Sequence, residues 1–169
     1  QILRRNGVHA EARDWGGRVT LRPGIDVIVE RAHHWSQYDP GDRDTTLWAG
    51  FTVTLPGGNL YFAGDTGPGD MRWATEARRA GPVRLAILPI GAYHFAGHET
   101  DNHIGPDQAV TAFEQLGAAY AIGVHWGTFE LTSEGINEPP EHLRAALARD
   151  HIAADRFRTP EAGEAWVIE

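Results

Sequence analysis

Cysteine is absent from this 169-residue chain, which excludes disulfides and thiolate metal ligands. No apolar run approaches the roughly 18 residues of a membrane-spanning helix. No basic run occurs, and the formal charge of -8 argues against non-specific binding to nucleic acid. Neither Gly-x-Gly-x-x-Gly nor Gly-x-x-x-x-Gly-Lys is present, which ranks a nucleotide-binding reading last. Methionine occurs once, at Met71, residue 1 is Gln, and no charged-then-apolar leader opens the chain. An N-terminal part is therefore expected to be missing from this sequence.

What remains is ordinary for a soluble globular domain: 41% hydrophobic and 22% charged residues. The length suits one domain with a real core, and a cytoplasmic location is the favoured expectation. Ile25, Val27 and Val29 alternate with polar neighbours and predict a strand. Phe51, Val53 and Leu55 predict a second strand, Pro56-Gly57-Gly58-Asn59 a hairpin loop, and Leu60 to Ala63 the return strand. A helix is expected from about Asp70 to Ala80, stopped by Gly81-Pro82. Leu85 to Leu88 reads as a strand covered on both faces. Gly105-Pro106-Asp107 opens another helix that Gly117 caps. Tyr120 to Val124 is a buried strand, a last helix begins near Pro139-Pro140, and Ala165 to Ile168 is expected to close the sheet. The order is that of a layered α/β or α+β domain with helices covering a sheet. Tyr93 to Gly105 is a long polar connection of the kind that often carries function.

Three metal-capable side chains sit just past apolar runs: His34, Asp65 and His125. Asp plus two His is a usable but incomplete set for Zn²⁺ or another borderline divalent ion. Each has a competing reading. Asp65 in Gly-Asp-Thr-Gly can be a turn residue bonding its own amides, and His125 can be a core imidazole satisfied by a carbonyl. His33 and His34 are adjacent and face opposite ways on an extended segment, so at most one is expected at a shared site, and from the local sequence alone one surface and one buried His with no ligand role is the favoured reading. His94, His98 and His103 crowd one loop, where one functional member at most is expected. Tyr93, Trp126 and Phe129 are candidates to line a substrate cleft, with core packing the commoner fate and the expected one for Phe129.

Several segments in fixed order are more specific than any alone. They are Ala32-His33-His34-Trp35-Ser36, Thr46 to Phe51, Tyr61-Phe62-Ala63-Gly64-Asp65-Thr66-Gly67, Leu88 to Tyr93, His103 before Pro106, and His125-Trp126-Gly127-Thr128-Phe129 with Glu138-Pro139-Pro140. From about Gly24 onward the chain resembles the C-terminal half of a metallo-β-lactamase-superfamily hydrolase. Within that superfamily it is similar to the branch of N-acylphosphatidylethanolamine-hydrolysing phospholipase D and its bacterial relatives. The resemblance implies an αββα sandwich, of which this chain supplies the C-terminal half with a mixed sheet, and a two-Zn²⁺ site at the sheet edges. By position His34 would ligate the first ion, Asp65 would bridge both, His125 would ligate the second, and His103 would stand near the substrate phosphate. Tyr93 is the weaker catalytic candidate.

The family's His-x-His-x-Asp-His motif is absent, in keeping with a chain lacking its N-terminal half. The run after Tyr93, His94-Phe95-Ala96-Gly97, departs from the phospholipase's Glu-Pro-Arg-Trp. The implied activity is hydrolysis of a phosphodiester or phospholipid-like ester by a metal-activated hydroxide. A lactone or small-ester hydrolase on the same fold, and a non-catalytic metal-binding remnant, stay open beside it. The expected partner is a small-molecule or lipid-like ester, with peripheral membrane contact left open.

Overall fold

Alternating apolar residues and well-placed turn formers build a mixed sheet carrying helices on one face. The computed structural model describes residues 2–168. A short helix α1 (Ile2–Arg5) precedes β1 (Arg18–Arg22), β2 (Ile25–Glu30), β3 (Gly50–Val53) and β4 (Asn59–Phe62). Then come α2 (Arg72–Ala77), which continues as a 3₁₀ turn over Arg78–Ala80, and β5 (Val83–Pro89). A two-residue hairpin, β6 (His94–Phe95) and β7 (His98–Glu99), leads to α3 (Pro106–Leu116) and β8 (Tyr120–Val124). Finally α4 (Glu138–Arg149) precedes β9 (Phe157–Arg158).

Seven strands form the main sheet in the order β1-β2-β3-β4-β5-β8-β9. The first four pair antiparallel, and β4 to β9 pair parallel. Parallel pairing requires crossovers, and α2, α3 and α4 supply them. Gly105 precedes Pro106 at the start of α3, where Gln108 Oε1 accepts the Gly105 N–H at 3.0 Å. Gly117, at φ 61°, ends that helix in the left-handed conformation.

Register decides what the two sheet faces do. Thr52, Tyr61, Ala86 and Ala121 align across neighbouring strands and are fully buried beneath the helices. Trp73, Val110, Phe113, Leu116, Leu143 and Leu147 complete that core. The opposite face carries Val29, Phe51, Phe62, Ile87 and Ile122 in one row. It is only partly covered, with Phe51 and Phe62 each 39% exposed.

Several expectations need correction. Leu85 and Ile87 are half-buried, so β5 is not covered on both faces within this chain. Ala165 to Ile168 form no strand, and β9 takes the edge beside β8 instead. Trp166 packs edge-on against Tyr120, so its apolar run reflects a side-chain contact rather than a ladder. The polar Tyr93–Gly105 connection contains the β6–β7 hairpin, turned by Ala96 and Gly97 at φ 51° and 85°. No helix among the described residues is long and apolar enough to cross a membrane.

Candidate metal centre

The strand ends of β2, β4, β5 and β8 lie at one rim of the sheet, and the loops leaving them carry the candidate residues. The Gly64-Asp65-Thr66-Gly67 loop binds two others together. Its buried Thr66 hydroxyl accepts the His33 N–H at 2.9 Å, and Gly67 donates its N–H to the His33 carbonyl at 2.7 Å. Ile104 donates its N–H to the Thr66 carbonyl at 2.9 Å. A Cβ at Gly67 would fall 1.8 Å from the Asp101 carbonyl oxygen, so the loops approach as closely as backbone allows. These bonds bring His34, Asp65 and His103 to one place from three separated segments.

Four side chains converge. One ligand atom each from His34, Asp65 and His103 lies within 4.8 Å of the others. The Nε2 atoms of His34 and His103 are 3.2 Å apart, and their rings stack at 5.2 Å. His125 Nε2 lies 3.4 Å from Asp65 Oδ1, and its ring meets that of His103 edge-on at 5.0 Å. His125 itself has φ 66°, a left-handed backbone that turns its ring back toward the rim as β8 ends.

The far nitrogens fix the tautomers. Nδ1 of His34 faces the Trp35 carbonyl at 2.9 Å, Nδ1 of His103 the Ala92 carbonyl at 2.8 Å, and Nδ1 of His125 the Gly91 carbonyl at 3.2 Å. A carbonyl oxygen only accepts, so each Nδ1 carries a proton, and a neutral ring in that tautomer turns an Nε2 lone pair inward. Burial pushes the His103 imidazole below its ordinary pKa, and the nearby His125 and His34 add to this against the Ala92 carbonyl and Asp65. Inward lone pairs beside a half-exposed carboxylate make a donor set suited to a divalent cation of the Zn²⁺ class.

Other candidates lie elsewhere. His33 turns its ring against Gly69. Tyr93 is buried, and its hydroxyl faces Glu138 Oε1 at 3.4 Å and His142 Nδ1 at 3.3 Å on α4, away from the imidazole cluster's own contacts. Burial, with the Glu138 and Glu134 carboxylates, raises its pKa. His94 and His98 belong to the β6–β7 hairpin. Phe129, expected in the core, is 76% exposed. With Trp126, Leu131 and Ile136 it lines a cleft of about 370 Å³ that opens onto His125.

Sequence reasoning missed Thr66, the carbonyls of Gly91 and Ala92, and the buried Glu134. Main-chain acceptors carry no side-chain signature. Glu134, in Thr132-Ser133-Glu134-Gly135, looks like any loop acid.

Residues 1–126 match the β-lactamase superfamily domain. The chain is 36% identical over 144 residues to the N-acyl-phosphatidylethanolamine-hydrolyzing phospholipase D 1 of Caenorhabditis elegans, covering 84% of this chain and 40% of the relative. It is 30% identical over 148 residues to a metal-dependent hydrolase of Methanosarcina mazei, covering 86% of this chain and 57% of that one. Among solved structures, the metallo hydrolase Igni18 of Ignicoccus hospitalis superposes with a TM-score of 0.65 at 26% identity, covering 96% of this chain and 62% of its own. The chain thus spans about two fifths to three fifths of the length of these proteins. A family match over three quarters of its residues, on a mixed sheet with helices of the same layout, makes this chain a member of the metallo-β-lactamase superfamily.

Proposed function

We propose that this chain supplies part of a two-cation centre in a hydrolase that cleaves a phosphodiester or phospholipid-like ester. The observation that carries the reading is the convergence of three imidazoles, each with Nδ1 held by a carbonyl and Nε2 turned inward, around Asp65. His34 would hold one ion, His125 the second, and Asp65, with two oxygens, both. Divalent cations held there supply Lewis acidity and, at neutral pH, a nucleophile drawn from water. His103 would orient the substrate phosphate or pass a proton to the leaving oxygen from Nε2, with Nδ1 anchored on Ala92. One observation favours a second assignment for His103: its Nε2 groups with His34 and Asp65 closely enough to ligate as well.

The complete domain is part of the proposal. This chain is read as the C-terminal portion of one sandwich, whose upstream portion adds a second sheet and the remaining ligands. The apolar row on the open sheet face and the 40% coverage of the worm relative support that reading. The cleft bearing Trp126, Phe129, Leu131 and Ile136 favours an ester with an apolar substituent.

The test is metal analysis and substrate profiling of the intact protein. Two divalent ions per chain, with chelator-sensitive cleavage of an N-acylated phospholipid or a phosphodiester restored by Zn²⁺, is the expected result. Cleavage of lactones or simple esters alone would select the small-ester alternative. An intact protein that takes up no metal would leave the non-catalytic reading.

A further inference from the structure

The segment that orients His103 and His125 is itself held by a buried acid. Glu134 is 8% exposed and lies in the loop between β8 and α4. Its Oε1 accepts the Ala92 N–H at 2.6 Å, and its Oε2 accepts the His94 N–H at 3.3 Å. The same loop grips this segment twice more: Ser133 donates its N–H to the His94 carbonyl at 2.7 Å, and Ala96 donates its N–H to Ser133 Oγ at 3.1 Å.

The Ala92 N–H and the Gly91 carbonyl belong to one planar amide. One end of that amide donates to Glu134, and the other accepts from His125 Nδ1 at 3.2 Å. The next carbonyl along, that of Ala92, accepts from His103 Nδ1 at 2.8 Å. Ala92 has φ 60°, a conformation a residue with a Cβ adopts only when its surroundings hold it there. A charged acceptor at the N–H end also polarises the amide and strengthens the carbonyl as an acceptor at the other end.

We infer that Glu134 is a positioning residue for the metal centre: through the Gly91–Ala92 amide it fixes the ring orientation and Nδ1–H tautomer of His125, and by holding the Ala92 and His94 N–H groups on either side it fixes the Ala92 carbonyl that does the same for His103. Burial alone would raise the Glu134 carboxyl, but the hydrogen bonds from Thr132, its own N–H, Ala92 and His94 outweigh this and hold it below its ordinary pKa. The clamp therefore carries full charge at neutral pH. The inference rests on the proposed metal reading only for its consequence, since the tautomers exist without the ion.

The experiment compares the intact parent protein with Glu134→Gln, Glu134→Asp and the double variant Ala92→Gly/Glu134→Gln. The first readout is the metal-free imidazole tautomer from long-range ¹H–¹⁵N correlation spectra. The second is Co²⁺ titration followed by visible absorption. The parent is expected to show Nδ1–H tautomers at His103 and His125. Glu134→Gln is expected to mix the tautomers and weaken Co²⁺ binding about 10- to 100-fold, the scale found for groups that orient metal-binding imidazoles. Ala92→Gly should restore part of that loss, because glycine adopts φ 60° without the Cβ penalty that the clamp otherwise offsets.

Parent-like tautomers and Co²⁺ affinity in a folded Glu134→Gln protein would overturn the inference, as would failure of the glycine to rescue. If Glu134→Gln does not fold, Glu134→Asp decides: it keeps the charge but shortens the reach, and unchanged tautomers there overturn the inference equally. A parent that binds no Co²⁺ overturns the metal reading, while the metal-free spectra still decide the role of Glu134.

Discussion

His34 Nε2 and His103 Nε2 approach to 3.2 Å although the Nδ1 of each ring already donates to a main-chain carbonyl. With those protons directed outward, neutral rings would turn two lone pairs toward one another, an arrangement relieved by a shared proton or a cation between them. The two rings lie nearly parallel, 13° apart, with centroids 5.2 Å from each other.

Asp65 contributes the only carboxylate in this group of three. Asp65→Ala in the intact protein is expected to abolish hydrolysis and lower the bound metal, measured by elemental analysis and by turnover of a phosphodiester. Full metal content with full activity would remove Asp65 from the proposed centre.

Backbone proximity sets a second expectation. A Cβ at Gly91 would lie 2.1 Å from the His125 carbonyl oxygen, too near for any adjustment short of moving a strand end. Gly91→Ala is expected to cost about 1–3 kcal/mol, the range for overpacked sites, and to weaken metal binding by displacing His125. Denaturant melts and metal titration together check this; a variant as stable as the parent would contradict the close approach.

The buried polar group under α2 makes stability depend on pH. Burial raises the Glu30 carboxyl above its ordinary value; the Thr52 hydroxyl opposes this at 2.7 Å, Glu76 adds to it and Arg18 opposes it. A carboxyl with a raised folded-state pKa favours folding while protonated. Its contribution is full below the unfolded pKa near 4.5 and is lost as pH rises through the higher folded value. Glu30→Gln keeps an acceptor for Thr52 without the charge. The variant is thus expected to melt higher than the parent at pH 7, with the gap closing toward pH 4, in thermal melts across that range.

Tyr61 shares that buried layer, and its hydroxyl has no hydrogen-bond partner. Tyr61→Phe removes an unsatisfied group while keeping the stack on Trp73 at 6.4 Å. A gain of about 1 kcal/mol is expected, read from chemical denaturation. A loss of that size would show that the hydroxyl is satisfied in solution.

The cleft beside His125 is testable through its rim. Phe129→Ser, at a side chain 76% exposed, is expected to leave melting and metal content alone and to raise KM several-fold for substrates with apolar substituents. Steady-state kinetics on long- and short-chain esters checks it, and equal effects on both would separate the cleft from substrate recognition.

Much of the fold was legible because its signals are local. The alternation in β2 and β3, the Gly57-Gly58 turn and the Pro106 and Gly117 ends of α3 act within a few residues. Residues that only a neighbour explains were not legible. Trp166 reads as strand but packs on Tyr120. Phe129 reads as core but is 76% exposed at the cleft beside His125, two residues beyond Gly127 at φ 76°. At the candidate centre, strand-end positions drew attention to His34, Asp65 and His125, while the Gly91 carbonyl that faces His125 Nδ1 lies 34 residues from it, and Glu134, which holds the Gly91–Ala92 amide, lies 42 residues from Ala92.

The Gly64–Gly67 loop is knitted to its neighbours through Thr66 and main-chain amides, and none of those bonds passes through the Asp65 side chain. Scaffold and chemistry are thereby separable at this position. A carboxylate exchanged for a neutral group leaves the loop's stitching whole, so a folded reference protein lacking the proposed cation ligand can be had by one replacement, and inheritance of the shape places no constraint on whether that carboxylate is retained.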